Sequence, residues 1–374
     1  MTPWAAVLDP KRSLSLIDRQ GRVLPGIAPE PLLWADWASA GSTGDPHSWP
    51  TWSPDAHRIA VFRQSVSTGD TQVFVTTTDG ATAAVLATLD RRLPIHLEWS
   101  PTGDSLAVLC QQGSRLLLEL LDAPEPGNRV PVASGSPLFY SWLDAQRLAV
   151  FIGHTEHPSE LRIVGSKELV TLPGVPGNFC TPVSAGDELL YVAHRDQSIE
   201  LLAADQSGSV RALEPVDGLM ALVPSHDRRR VAYAVAEQDG SPYRGLTVLE
   251  PATGARIPLA DEPLLAFFWS PRGDAVIGAR QQEDSPRITW LRLGLDGSRL
   301  PLFEHLPTRD LAFWLRFFEQ YCISHPIIDP SGDNLLVGGF EAERSGEPLL
   351  WRVPLDGSPA ETIRPGVLAV CPRP

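Results

Sequence analysis

Trp52-Ser53-Pro54-Asp55, followed after two residues by Arg58-Ile59-Ala60-Val61-Phe62, reads as a tight turn feeding an apolar strand. Proline sets φ at one corner, the aspartate offers a side-chain acceptor, and a glycine in the next copies permits a positive φ. The unit returns as Trp99-Ser100-Pro101-Thr102-Gly103-Asp104 before Leu106-Ala107-Val108, and as Trp269-Ser270-Pro271-Arg272-Gly273-Asp274 before Val276-Ile277. A decayed copy, Asp329-Pro330-Ser331-Gly332-Asp333, precedes Leu335-Leu336-Val337. Three weaker copies keep the spacing without the tryptophan-turn pair, at Asp144–Val150, Gly186–Leu190 and Asp227–Ala232.

The Trp52-equivalent positions are 52, 99, 141, 182, 224, 269 and 328, in steps of 47, 42, 41, 42, 45 and 59. A period in the forties built from short strand-like runs marks a four-stranded propeller blade. The tryptophan supplies a large apolar area to bury between neighbouring sheets. Each unit carries a second hairpin, with turns at Gln20-Gly21, Asp79-Gly80, Ser207-Gly208, Thr253-Gly254, Asp296-Gly297 and Asp356-Gly357. Asp-Gly between two strand-like runs is a strong hairpin signal. The chain begins on Trp4-Ala5-Ala6-Val7-Leu8, which matches a second strand, and ends on Val367-Leu368-Ala369-Val370-Cys371-Pro372, which matches a first strand in step with the repeat. The last strand is therefore expected to complete the first sheet and remove the free edges. The expectation is an all-β, single β-propeller domain over residues 1–374, with eight four-stranded blades and one short helical insertion at about 306–325. Seven blades is the alternative, because the copies at 141, 182 and 224 are weak.

The recurring Trp-Ser-Pro-Asp-Gly turns and Ile-Ala-Val strands resemble the TolB-like propellers and the N-terminal propeller of prolyl-oligopeptidase-type peptidases, and are WD-repeat-like in period. Phe317-Phe318-Glu319-Gln320-Tyr321, followed by Ser324-His325 and a repeat motif, also resembles a pattern of TolB-like bacterial proteins. The resemblance implies a propeller only. No GxSxG nucleophile elbow is present and the repeats leave no room for an α/β-hydrolase domain, so peptidase activity is not implied.

Composition bounds the partners. With 374 residues, 43% hydrophobic and 20% charged, the chain can bury a large core, and its 36 Pro and 30 Gly suit many turns. A formal charge of −14 argues against nucleic acid or an anionic membrane as the main partner. Cys110, Cys180, Cys322 and Cys371 lie far apart without CxxC spacing, and read as buried free thiols. The N-terminus lacks the pattern of a signal peptide and no run approaches the ~18 apolar residues of a membrane span, so a cytoplasmic monomer is expected.

The first and third turns of each unit are short, whereas the other connections carry the extra length and emerge together on one face. That face holds loops at 63–70, 154–160, 237–244, 281–287 and 341–347, and loops on a rigid scaffold are the usual seat of binding. The 59-residue step marks the insertion. Thr308-Arg309-Asp310 before Leu311, Trp314, Leu315 and Phe318 predicts an N-capped amphipathic helix. It either packs down to plug the channel or, since Phe313, Trp314, Phe317 and Phe318 exceed one buried stripe, presents a partner-docking surface. His154 and His157 flank Glu156, a weak metal pattern that reads as a solvated loop. Arg63, His194 and Arg280, with Arg195 and His325, are candidates for a basic rim at the channel mouth suited to a small anion. No cofactor or metal is expected, because no phosphate loop or nucleophile-base pairing is found. The favoured function is a non-enzymatic scaffold binding a protein or peptide, and the alternative is an enzyme or small-anion binder at the channel mouth.

Overall fold

The structure is a computed structural model that describes residues 2–10, 13–25, 49–64, 70–123, 127–154, 158–165, 169–172, 175–176, 180–195, 197–205, 208–282, 285–341 and 346–374. The repeated turn builds the same hydrogen-bonded knot in successive copies. Asp55 Oδ1 accepts from Ser53 Oγ at 2.5 Å and from the His57 amide at 3.1 Å, while Ser53 Oγ accepts from the Arg58 amide at 2.9 Å. Asp227 and Ser225 repeat the arrangement with Arg229 and Arg230. The fourth corner needs a positive φ, which Gly103, Gly273 and Gly332 supply at 77°, 69° and 70°. Ala56 and Arg228 occupy the same corner at 57° and 56° and carry the left-handed strain of a Cβ.

From each knot an antiparallel meander runs outward. Thr51–Trp52, Arg58–Gln64, Thr71–Thr77 and Ala83–Leu89 form one four-stranded sheet. Leu93–Trp99, Ser105–Gln112, Arg115–Asp122 and Arg129–Gly135 form the next, and Leu138–Trp142, Leu148–Ile152, Glu160–Val164 and Leu169–Thr171 another. In the sheet of Glu188–Arg195, Ser198–Ala204 and Val210–Pro215 the first strand is split into Val175–Pro176 and Val183–Ala185. Leu219–Pro224, Val231–Ala236, Arg244–Glu250 and Ala255–Ala260 follow in regular order.

The last two units are joined. Ala266–Trp269, Ala275–Gln281, Ile288–Gly294 and Arg299–Pro307 make a sheet whose final strand continues until Leu306 and Pro307 pair with Phe340 and Gly339 of Asn334–Phe340. Leu349–Pro354 and Glu361–Pro365 complete that sheet, and its own first strand shrinks to the Ile328–Leu335 bridge. The join depends on glycine: a Cβ at Gly339 would stand 2.1 Å from His305 Nδ1, and one at Gly338 would stand 2.1 Å from the Val367 carbonyl. At the termini, Ala5–Leu8 pairs with Leu14–Ile17 on one side and with Leu368–Val370 on the other, Ala6 opposite Val370. The expected composite of the two chain ends is therefore present as a register.

Tryptophans tie sheet to sheet. Trp52 Nε1 donates to the Val370 carbonyl at 2.9 Å, Trp99 Nε1 to Thr51 at 3.1 Å, and Trp269 Nε1 to Val223 at 2.9 Å, each time reaching the preceding sheet. Burying an indole contributes about 5 kcal/mol by area.

The helical insertion is two short helices, α1 (Arg309–Arg316) and α2 (Phe318–Ser324), broken at Phe317. Thr308 caps α1 as expected, accepting from the Leu311 amide at 3.2 Å and donating to the Val367 carbonyl at 2.7 Å. The α2 helix packs against Leu93–Trp99, Leu219–Pro224 and Ala266–Trp269, the innermost strands of three sheets. Phe318 of α2 and Trp314 of α1 meet the last of these strands, with ring centroids 5.0 Å from Phe267 and 5.1 Å from Phe268 respectively. The insertion lies on these strands because packing there removes its apolar residues from water.

The strained corner yields a stability test. Ala56→Gly is expected to stabilise the protein by about 0.5–1 kcal/mol in equilibrium urea unfolding, since relief of left-handed strain outweighs the added chain entropy. An unchanged or lowered midpoint would contradict the backbone geometry at this turn.

Candidate functional site

The basic rim is not assembled. Arg63 donates from Nε to Gln72 Oε1 at 3.0 Å and lies over the Phe74 ring. His154 contacts Glu160 Oε1 at 3.2 Å, and His157 lies outside the described residues. His194 and Arg195 are exposed at the end of a second strand, and Arg280 is half-buried on another. Second strands stand one strand spacing, about 4.8 Å, outside the innermost ones, so their ends do not meet at the centre. None of Arg63, His154, His194, Arg280 or His325 lines either of the two cavities described below.

His325 belongs to the interior. It is 2% exposed, and the Ser324 hydroxyl bridges it to a second buried histidine: Ser324 Oγ is 2.8 Å from His325 Nδ1 and 2.9 Å from His96 Nε2. His96 Nδ1 is 2.8 Å from the Tyr140 hydroxyl, and Trp314 Nε1 donates to the His325 carbonyl at 3.0 Å. Burial holds the His325 imidazole well below its ordinary pKa, so this pair of hydrogen-bonded rings stays neutral at His325 and anchors the base of α2. Its sequence position, next to a repeat motif, suggested a rim; its packing makes it structural.

The docking stripe is likewise corrected in part. Trp314 and Phe318 are 0% and 1% exposed and face the sheets, so neither is available to a partner. Phe313 and Phe317 stay half-buried and pack against each other, their rings tilted at 43° with centroids 4.7 Å apart. Of these four aromatics, Phe317 lines the larger of the two cavities described below.

That cavity, about 1000 Å³, opens on the face of the long connections. The 237–244 loop gives it Glu237, Asp239 and Tyr243, the 281–287 loop gives it Gln281 and Pro286, and the helices give it Arg316, Phe317 and Glu319. The loop-rich face expected to carry function therefore holds a large groove, although different residues line it. At its floor Glu319 Oε2 accepts from the Thr181 amide at 3.3 Å. Burial raises the Glu319 pKa to about 8, so its carboxyl is protonated at neutral pH. Burial also raises the phenol of neighbouring Tyr243.

A second cavity, about 180 Å³, lies at the opposite end of the innermost strands, among the short turns. Glu98, Ser141, Trp142, Arg228 and Arg373 line it, and Arg373 pairs with Glu98 at 3.2 Å. Burial pushes Glu98 up to about 7 against the pull of Arg373 and Arg228. Sequence reasoning missed this cavity. The available signal was His96-Leu97-Glu98-Trp99, where two ionisable residues alternate on a strand that elsewhere is apolar or hydroxylated. Among the described residues no group of three or more His, Cys, Asp or Glu is placed to hold a metal ion.

Buried carboxyls make stability depend on pH. Glu98 and Glu319 hold protons in the fold that the unfolded chain releases above its ordinary value of 4.5, so their contribution is lost as pH rises through about 7 and about 8. His305, lowered to about 3 by burial, acts in the other direction, and its contribution is lost as pH falls below 6.5. Between pH 6.5 and 8 the thermal midpoint is therefore expected to fall, with a shallower slope in Glu319→Gln. Equal slopes in circular-dichroism melts would mean that Glu319 is ionised in the fold.

No protein-family model and no curated protein matches the sequence. Solved structures do. A prolyl endopeptidase is similar with a TM-score of 0.56 at 12% identity, over 87% of this chain and 50% of that one. An oligogalacturonate lyase in complex with manganese is similar with a TM-score of 0.54 at 13% identity, over 95% of this chain and 97% of that one. TolB from Acinetobacter baumannii aligns at 19% identity and a TM-score of 0.44, over 77% of this chain and 75% of that one. The chain has the β-propeller fold, and the prolyl-oligopeptidase-type resemblance read from the repeats holds at the level of fold.

Proposed function

We propose that this β-propeller is a non-enzymatic scaffold that binds a protein or peptide segment in the groove beside the helical plug. The groove of about 1000 Å³ on the loop-rich face carries this reading. Its walls combine apolar surface from Phe139, Leu219, Leu265, Ile288 and Phe317 with polar groups from Glu237, Asp239 and Gln281. That mixture suits an extended segment, whose apolar side chains fill pockets while its backbone finds hydrogen-bond partners. The propeller is read as eight blades in a closed ring. Support comes from the Ala6–Val370 register and from the tryptophan bonds that link three of the motifs to the sheet before them. Four free, buried thiols favour a reducing compartment such as the cytoplasm, and the scaffold is taken to act as a monomer.

The similar structures include enzymes, and one was solved with manganese. The described residues here offer no set of ligands for that ion, so no reaction is derived through it. The enzymatic reading retains one specific support, the protonated Glu319 carboxyl at the floor of the groove.

Selection of a displayed peptide library on the purified protein tests the scaffold reading. Enriched peptides are expected to compete with one another and to lose about tenfold or more in affinity against Phe317→Asp, whose half-buried side chain lines the groove, with a thermal melt establishing that the variant is folded. Peptides that bind Phe317→Asp as well as the parent would place recognition elsewhere and overturn the assignment.

A further inference from the structure

Charge is unevenly distributed over the groove beside the helical plug. Among the described residues its lining carries Glu237, Asp239 and Glu319 against a single basic residue, Arg316. Even with Glu319 protonated, Glu237 and Asp239 outnumber that guanidinium, and both stand exposed. Arg316 shows how a cation sits here. Its guanidinium carbon lies over the Phe317 ring, 5.7 Å from the centroid, and its Nη2 is 3.8 Å from Asp239 Oδ2. The second distance is too long for a hydrogen bond, and the two side chains are 65% and 87% exposed, so the pair holds Arg316 only weakly. An aromatic face and a carboxylate are thus within reach of one cation, which the chain supplies but does not fix.

Resting on the scaffold reading above, which leaves the partner's charge open, we infer that the groove selects a peptide segment bearing an arginine or lysine beside apolar residues, and that this basic side chain displaces Arg316 from the Phe317 ring and Asp239. Leu219, Leu265 and Ile288 offer apolar wall to the methylene stem of such a side chain and to its neighbours. The walls supply area, and the carboxylates choose the sign of what fills it. A guanidinium or ammonium keeps its head in water, where Glu237 and Asp239 attract it and the Phe317 face adds a cation–π contact. An acidic segment would meet like charge at the same place, and on approach the field of a chain with formal charge −14. A neutral segment would leave Arg316 where it is and gain the walls alone.

Fluorescence anisotropy of the enriched library peptides, synthesised with a fluorophore and titrated with the full chain, tests the selection. Phe317→Ala removes the ring without adding charge and identifies the peptides that use the groove. These are expected to carry arginine or lysine, and to weaken about tenfold when that residue is replaced by glutamine, losing most of their salt dependence with it. Glu237→Gln combined with Asp239→Asn is expected to weaken the original peptides about tenfold, and Arg316→Gln to tighten them about threefold. Thermal melts establish that each variant is folded, and should Phe317→Ala not fold, the three exposed positions carry the comparison. Groove-dependent peptides without a basic residue, or affinities unmoved by the Glu237, Asp239 and Arg316 substitutions, would overturn the charge selection and leave the scaffold reading standing. A library that yields no peptide weakened by folded Phe317→Ala overturns both.

Discussion

The fold rests on one repeated contact, an indole on the innermost strand of a sheet that donates to the backbone of the sheet before it. Trp52 reaches Val370, Trp99 reaches Thr51 and Trp269 reaches Val223. Each indole satisfies its own polar atom at the moment it buries its largest apolar face, so desolvation carries no unmet donor. The same contact fixes how far one sheet stands from the next, because bond and ring overlap must be made together. The Ser-Pro-Asp-Gly knot that follows holds the indole at the strand end and turns the chain into its partner strand. Two of the units without the indole have looser geometry: the first strand of the 183–195 unit splits, and that of the last unit falls to a single bridge, whereas Leu219–Pro224 keeps a regular register without it.

The loss in the last unit explains where the helices go. With only Ile328 left as a first strand, Arg299–Pro307 extends to pair with Asn334–Phe340, and the chain leaves this join directly at the centre. Thr308 anchors that departure by bonding both the Val367 carbonyl and the Leu311 amide. The first helix packs on Arg299–Pro307 and Asn334–Phe340 and the second on the inner strands of three sheets, which buries Leu311, Trp314 and Phe318. Trp49 closes the arrangement from the other side, donating to Asp310 at 3.1 Å and packing on Tyr321. The hydrogen-bonded pair His96 and His325 lies in this packed interior.

The architecture was legible in the sequence because its signals are local. A turn knot, a hairpin glycine and an alternating strand each announce themselves within ten residues, and their spacing carries the period. The plug was legible as a helix with its cap, yet its direction was not, since five aromatics in one segment are compatible with burial and with exposure alike. The candidate sites were mostly illegible for a further reason. Arg63, His194 and Arg280 share a position along their strands, but equal position on second strands places them around a circle instead of at one point. Glu98, Trp142, Arg228 and Arg373 occupy unlike positions in four units and meet because the innermost strands converge. Only the ionisable pair His96 and Glu98, alternating on an inner strand, betrayed that convergence.

The two cavities divide chemistry as they divide the faces. The groove on the long-loop side is wide, partly apolar and floored by a carboxyl that burial keeps protonated, so it offers area and shape before charge. The opposite cavity is small and lined by the Glu98–Arg373 pair and Arg228, so it is the more polar and the more confined of the two. Both meet α2 or its flanks: Glu319 and Gln320 face the groove, and Cys322, Ile323 and Pro326 face the cavity. The segment between them is held by Ser324, which bonds His96, His325 and the Gln320 carbonyl together. One rigid turn of helix therefore forms the floor of the first site and the roof of the second. A change that moves it must alter both, which makes the plug the element through which the two faces of this propeller are mechanically joined.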